Sequence, residues 1–118
     1  MLASKLSDFE INKRVGIATG DATAIEPCFE VVVRNKTGKE FNPCKNPADA
    51  WPIILANKIN IEFEGDVIDG EEEWWSIASW GRTAEEHQFF TDDNPLRAAM
   101  IVFLMIQESA NVQTDSTR

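Results

Sequence analysis

Asn94-Pro95-Leu96-Arg97-Ala98-Ala99-Met100-Ile101-Val102-Phe103-Leu104-Met105-Ile106 decides how this chain folds. Asn caps helices and Pro is at home in a first turn, so the segment opens a helix. The run from Ala98 to Ile106 is apolar on every side, and a helix without a polar face is enclosed by lipid or by protein. From Leu96 to Ile106 it rises about 16 Å, roughly half of a bilayer's hydrocarbon core. It is therefore expected at the centre of a protein core. Beyond Glu108 the apolar residues run out, which places one globular domain at 1–108 and a flexible tail at 109–118.

Working outward, Ser7 and Glu10 form a capping box, and Leu6 with Ile11 a hydrophobic staple. Phe9, Ile11 and Val15 give that first helix an apolar side, and Gly20 comes just after its end. Residues 21–27 read as a loop. CFEVVVR (28–34) is β-branched and strand-like, with Asn35 to Gly38 as a turn and Glu40-Phe41 as a short return strand. A second helix begins near Asn46-Pro47 and runs to about Asn57. Pro52 complicates it: with Asn46 as cap it lies inside the helix and kinks it, with Asp49 as cap it falls in the first turn. The reading leans to a kinked or late start.

Ile59 to Glu64 alternates apolar and polar residues, as a strand with one buried face does. Gly65 to Glu71 reads as an acidic turn, and Glu73 to Trp80 as the return strand. Residues 82–93 read as a long loop in which Thr83 and Glu86 can cap a helical turn. The expected order is α-β-β-α-β-β-α: an α+β fold in which an antiparallel or mixed sheet of two hairpins packs with three helices, on one or both faces.

The 118 residues carry a net charge of -9, unevenly spread. Between Glu62 and Asp93 eleven acids face one base, Arg82, while between Arg34 and Lys58 the balance reverses. Such asymmetry steers charged partners, although the plainer reading is a solvated surface that keeps the chain soluble. Direct nucleic-acid binding is disfavoured, because phosphates are neutralised by Lys and Arg. No basic stretch precedes an N-terminal apolar run, so no secretory signal is expected, and Cys28 and Cys44 read as free thiols in a reducing compartment.

LSDFEIN (6–12), FNPCKNPADAWPII (41–54) and NPLRAAMIVFLMIQESAN (94–111) resemble the NinX family of lambdoid tailed phages, and the latter two also resemble a broader phage α-β-α sandwich domain. The resemblance implies a phage-encoded accessory protein of the host bacterial cytoplasm with a three-layer sandwich fold. It transfers no activity and no functional residue, because the matching motifs are helix starts and core positions. The stretch from Glu64 to Glu73 and the surroundings of His87 are expected to be most individual.

Catalytic and metal chemistry find little support. With Gly70 as the loop glycine of a calcium site, ligand positions fall on Gly65 and Val67, which offer no side-chain oxygen. Cys28, Cys44 and His87 lack zinc-finger spacing and a fourth ligand. One His in the chain restricts nucleophilic catalysis, and no Gly-rich phosphate loop follows a strand. No cofactor is expected.

The tryptophans are the sharpest lead. Trp74 and Trp75 are adjacent in a strand and point to opposite faces, while Trp74 and Trp80 share one. If helices cover both faces, as a sandwich implies, these indoles are core. If one face is open, Trp74 and Trp80 with Glu71, Glu72 and Glu73 form a partner-binding patch suited to Lys or Arg through charge and cation–π contact. The function expected is that of a non-enzymatic, protein-binding accessory factor with a host or phage protein as partner. The alternatives are a DNA-mimicking inhibitor of a DNA-handling protein and an enzyme of unrecognised type. Self-association through an edge formed by CFEVVVR is a further option.

Overall fold

The computed structural model describes residues 5–26, 29–81, 83, 85 and 87–116, with side chains to 110. The order is α1 (Asp8–Thr19), β1 (Ala22–Ile25), β2 (Val31–Arg34), α2 (Pro47–Asn57), β3 (Asn60–Ile68), β4 (Glu71–Trp80), β5 (Gln88–Asp92) and α3 (Pro95–Ser116). The class is α+β, with two antiparallel sheets of orders β1-β2 and β3-β4-β5.

α3 is the hub. Asn94 Oδ1 accepts from the backbone N–H groups of Leu96 (2.9 Å) and Arg97 (3.3 Å), so the cap read from the sequence is formed. Ala98 through Leu104 are all buried. α3 lies on the three-stranded sheet, and α1 and α2 pack against α3, with the β1-β2 hairpin against α1. An all-round apolar helix thus finds protein on every side. Its backbone stays helical to Ser116, ten residues past Ile106. Among the described residues no helix is long and apolar enough to cross a membrane.

α1 starts on Ser7, whose hydroxyl accepts from Glu10 N–H at 3.2 Å, and stops at Gly20, whose φ of 77° costs a glycine nothing. α2 takes Asn46 as its cap, with the side chain accepting from Ala48 N–H at 3.0 Å. Pro52 therefore lies inside the helix, on its exposed side; the late start from Asp49 does not occur. Asp49 is instead held by Arg34 Nη2 (2.7 Å) and by the N–H of Asn42 (2.9 Å).

Two strands were hidden in expected loops. Ala22–Ile25 pairs with Val31–Arg34 from the N-terminal side, while Glu40 returns to β2 only as an isolated bridge to Val33. β2 is flanked on both sides in consequence, and the open edge expected of CFEVVVR is absent along Val32 to Arg34. Cys28 lies outside the described residues. Gln88–Asp92 (QFFTD) forms β5 against β4 where part of a long loop was expected: its aromatics and threonine suit a pleated surface, and Phe90 reaches the core. The helical turn that Thr83 and Glu86 can cap falls partly outside the described residues.

Candidate functional site

The turn between β3 and β4 is tighter than the expected Gly65–Glu71 loop. Asp69 (φ 53°) and Gly70 (φ 82°) both adopt the left-handed region, as a two-residue type I′ turn requires, and Asp-Gly is a preferred pair for it. Gly65 is instead a strand residue, paired with Trp74. The Trp74 ring lies directly over it: a Cβ placed there would come within 2.7 Å of the indole. Glycine is what lets the ring lie flat on the strand.

With the register fixed, residues that face each other across the pair share a side of the sheet. Ile61, Phe63, Gly65 and Val67 of β3 share the α3 side with Glu72, Trp74, Ser76, Ala78 and Trp80 of β4. Glu62, Glu64 and Asp66 share the other side with Glu71, Glu73, Trp75 and Ile77. The helix packed on this sheet is α3, on the first side; on the second side Ser79 is buried, Trp75 and Ile77 are half-buried and the acids are exposed.

The α3 side is itself divided. Ser76 and Ala78 are 0% exposed, and Ile61, Trp80 and Phe90 pack against the core. Beyond Ser76 the cover ends, since Ser76 pairs with Asp92 and α3 starts only at Pro95. Phe63, Val67 and Trp74 are 66%, 65% and 63% exposed. Phe63 and Val67 sit diagonally across from Trp74, within reach of an indole, so the three make one apolar surface.

That surface continues into a groove of about 640 Å³ between α2, the first half of β3 and the start of α3. Ile54, Ile59, Ile61, Pro95 and Leu96 line it together with Trp51, Leu55 and Phe63, and Lys58 and Asn60 are its polar members. Trp51 and Leu55, four residues apart, stand exposed on α2 because Ala50, Ile53 and Ile54 face the core. From Glu62 to Glu73 the hairpin carries seven acids and no Lys or Arg.

The sequence-derived candidates therefore separate. Trp74 is on the surface and shares its side with Glu72, whereas Glu71 and Glu73 point away from it. Trp80, half-buried against the core, lies about 20 Å from Trp74 along the strand. Trp51, Leu55 and Phe63 were not singled out by the sequence reading. Their signal was an excess of apolar residues: α2 has more than one face can bury, and the alternation of β3 continues beyond the reach of α3.

Residues weighed for chemistry have other occupations. Cys44 is buried, and its thiol is pushed up to about 12, first by burial and then by the Asp8 carboxylate. The His87 ring lies beside that of Phe89, tilted by 34° with centroids 5.8 Å apart. Among the described residues no group of three or more His, Cys, Asp or Glu gathers as a metal site would require.

The Asn- and Pro-rich motifs make an internal scaffold. Asn12 Nδ2 donates to Asn42 Oδ1 (2.8 Å), and Asn12 Oδ1 accepts from Cys44 N–H (3.1 Å). Asn94 Nδ2 donates to the Cys44 carbonyl at 2.7 Å. Arg97 binds Asp92 (2.6 Å), Asp8 (3.1 Å) and the Leu6 carbonyl (2.7 Å), tying the start of α3 to β5 and to the entrance of α1. These motifs hold helix starts together, which is a matter of fold.

A family profile described as Bacteriophage P22, NinX matches residues 3–107. Neither the curated proteins nor the solved structures yield a match. The chain belongs to this phage NinX family.

Proposed function

We propose that this phage protein is a non-enzymatic binding factor that acts in the host cytoplasm by docking another protein on the exposed end of the β3-β4 hairpin and the adjoining groove. The observation that carries the reading is the exposure of Phe63, Val67 and Trp74 together, next to exposed Trp51 and Leu55. Burying apolar surface stabilises by about 25 cal/mol per Å², and aromatic side chains bury roughly 150–250 Å² each. A contiguous apolar surface left in water, ringed by charge, is characteristic of an interface. A buried thiol held protonated and a groove lined mostly by apolar side chains support binding over catalysis.

The test is capture from phage-infected cells, with Val67 replaced by a photo-crosslinking residue. One defined protein should crosslink, and the double variant Phe63→Ser, Trp74→Ser should lose it. Ile17→Ser, altering an exposed apolar residue on α1, should retain it. Equal capture by the double variant contradicts the proposal.

The exposed acid row on the second side of the sheet supports a second reading, a DNA mimic. Glu62, Glu64 and Asp66 lie two residues apart on one side of β3, with Glu73 across from Asp66. That reading expects a partner that duplex DNA displaces and whose binding weakens steeply with salt. A captured partner indifferent to duplex DNA removes it.

A further inference from the structure

The proposed docking surface has a third property besides its apolar groove and its acids, and the three together specify the shape of what binds. β3 pairs only with β4 among the described residues, which leaves no strand on its outer edge from Asn60 to Ile68, about 30 Å, where the Val67 N–H is held by Asp66 Oδ1 at 2.7 Å. An open edge offers a row of backbone N–H and C=O groups to another strand. From Ile61 to Val67 the acids alternate with apolar residues or glycine, and Ile68 ends the acid side with an apolar residue. Ile61, Phe63 and Val67 point to the groove side, and Glu62, Glu64 and Asp66 to the other.

We infer that β3 takes up an extended segment of another protein as an added strand, one that alternates apolar residues with lysine or arginine. This rests on the docking surface proposed above and names its occupant. Cross-strand neighbours share a side of the sheet, so each side chain of the incoming strand meets a side chain of its own side. On the groove side its apolar residues cover Phe63 and Val67 and reach toward Trp51 and Leu55. On the other side its cations lie beside Glu62, Glu64 and Asp66.

The geometry selects a strand over a helix. Apolar and acidic groups stand on opposite sides of the sheet, and a helix laid in the groove meets only the first. A strand in the plane of the sheet meets both and also satisfies the edge. It selects against a second copy of the chain as well. Antiparallel pairing of β3 with its own twin about Glu64 sets Glu64 against Glu64 and Glu62 against Asp66, and like charges directly opposite destabilise a sheet.

The probe is a synthetic peptide of about nine residues alternating lysine and valine, tested by fluorescence anisotropy and by amide hydrogen exchange of the full chain. It should bind and slow exchange of β3 amides. Methylating every second peptide nitrogen on the pairing edge should weaken it by about tenfold or more, since the ladder is lost while the side chains remain. The triple variant Glu62→Lys, Glu64→Lys, Asp66→Lys alters exposed side chains only. It should keep its far-UV spectrum and switch preference to a glutamate–valine peptide. Binding that is unaffected by N-methylation, or equal binding of the same residues reordered at helical spacing, overturns the inference. So does a homodimer with protected β3 amides. Should strand addition fail while the Phe63, Trp74 double variant still loses its crosslinked partner, the docking surface stands and only its occupant changes.

Discussion

The two halves of one hairpin make opposite use of the same side of the same two strands. Near α3, Ser76 and Ala78 are sealed, and the buried Ser76 hydroxyl donates to the Asp92 carbonyl at 2.6 Å. A few residues further on, Phe63, Val67 and Trp74 stand in water. In β3 the strand pattern does not cause the difference, because Ile61, Phe63 and Val67 continue one apolar side through both halves. Its cause is the length of cover supplied by α3, which begins beside Asp92 and protects nothing beyond it. A strand pattern states which side of a sheet is apolar, and the tertiary arrangement decides where that side is closed.

The largest predicted contrast lies between charges introduced into the two halves. Ala78→Asp places a carboxylate in a fully closed position and should cost about 4 kcal/mol or more, enough to unfold much of the protein. Val67→Asp, on the same side but bare, should stay within about 0.5 kcal/mol. Urea unfolding of both variants measures the contrast, and equal losses would erase it.

Arg97→Met comes next. It leaves Asp92 and Asp8 without the guanidinium that joins them at 2.6 and 3.1 Å, in a site where all three side chains are partly exposed. With solvent screening allowed for, the loss should be roughly 2 kcal/mol in urea unfolding. Because the hairpin tip does not depend on this junction, peptide binding under native conditions should be little changed.

Chemical access sharpens the comparison further. In a Cys28→Ser background, Cys44 should resist a thiol reagent at pH 8 until the chain unfolds, while an added V67C should react at once. The Cys44 thiol has its usual value of 9.0 raised to about 12 in the folded state, so the unfolded chain loses its proton first. Stability therefore falls as pH rises from about 9 toward 12, and Cys44→Ala should remove that part of the slope.

The smallest effect is local. Gly65→Ala sets a methyl group where the Trp74 ring lies and should push the indole off the strand. Stability should change by less than about 1 kcal/mol, because an exposed ring has room to turn away. The Trp74 indole N–H resonance, assigned by its loss in Trp74→Phe, should shift clearly.

Much of the fold was legible in the sequence because its signals are local and agree with one another. Asn94-Pro95 caps an apolar run, Ser7 and Glu10 box the start of α1, and Asn46-Pro47 starts α2. β1 escaped because four residues between Asp21 and Glu26 are too few for a period to show. β5 escaped because its aromatics sit among acids. Gly65 drew the turn too early, since only the overlying Trp74 explains a glycine inside a strand. The candidate surface was half visible. Trp74 and Glu72 were named, but their company with Phe63, Trp51 and Leu55 depends on how α2 lies beside β3, which no local pattern encodes. NinX membership bore on the fold and left this surface to be read from the structure.

Residue-resolved native-state hydrogen exchange of the free protein reads out whether one hairpin is core at its base and bare at its end. Protection should be greatest through Ala98 to Leu104, high at Ser76 and Ala78, and close to nothing at the outward amides of β3 between Glu64 and Ile68. Protection at those β3 amides equal to that of α3, in the absence of any partner, would mean that the hairpin is closed along its whole length.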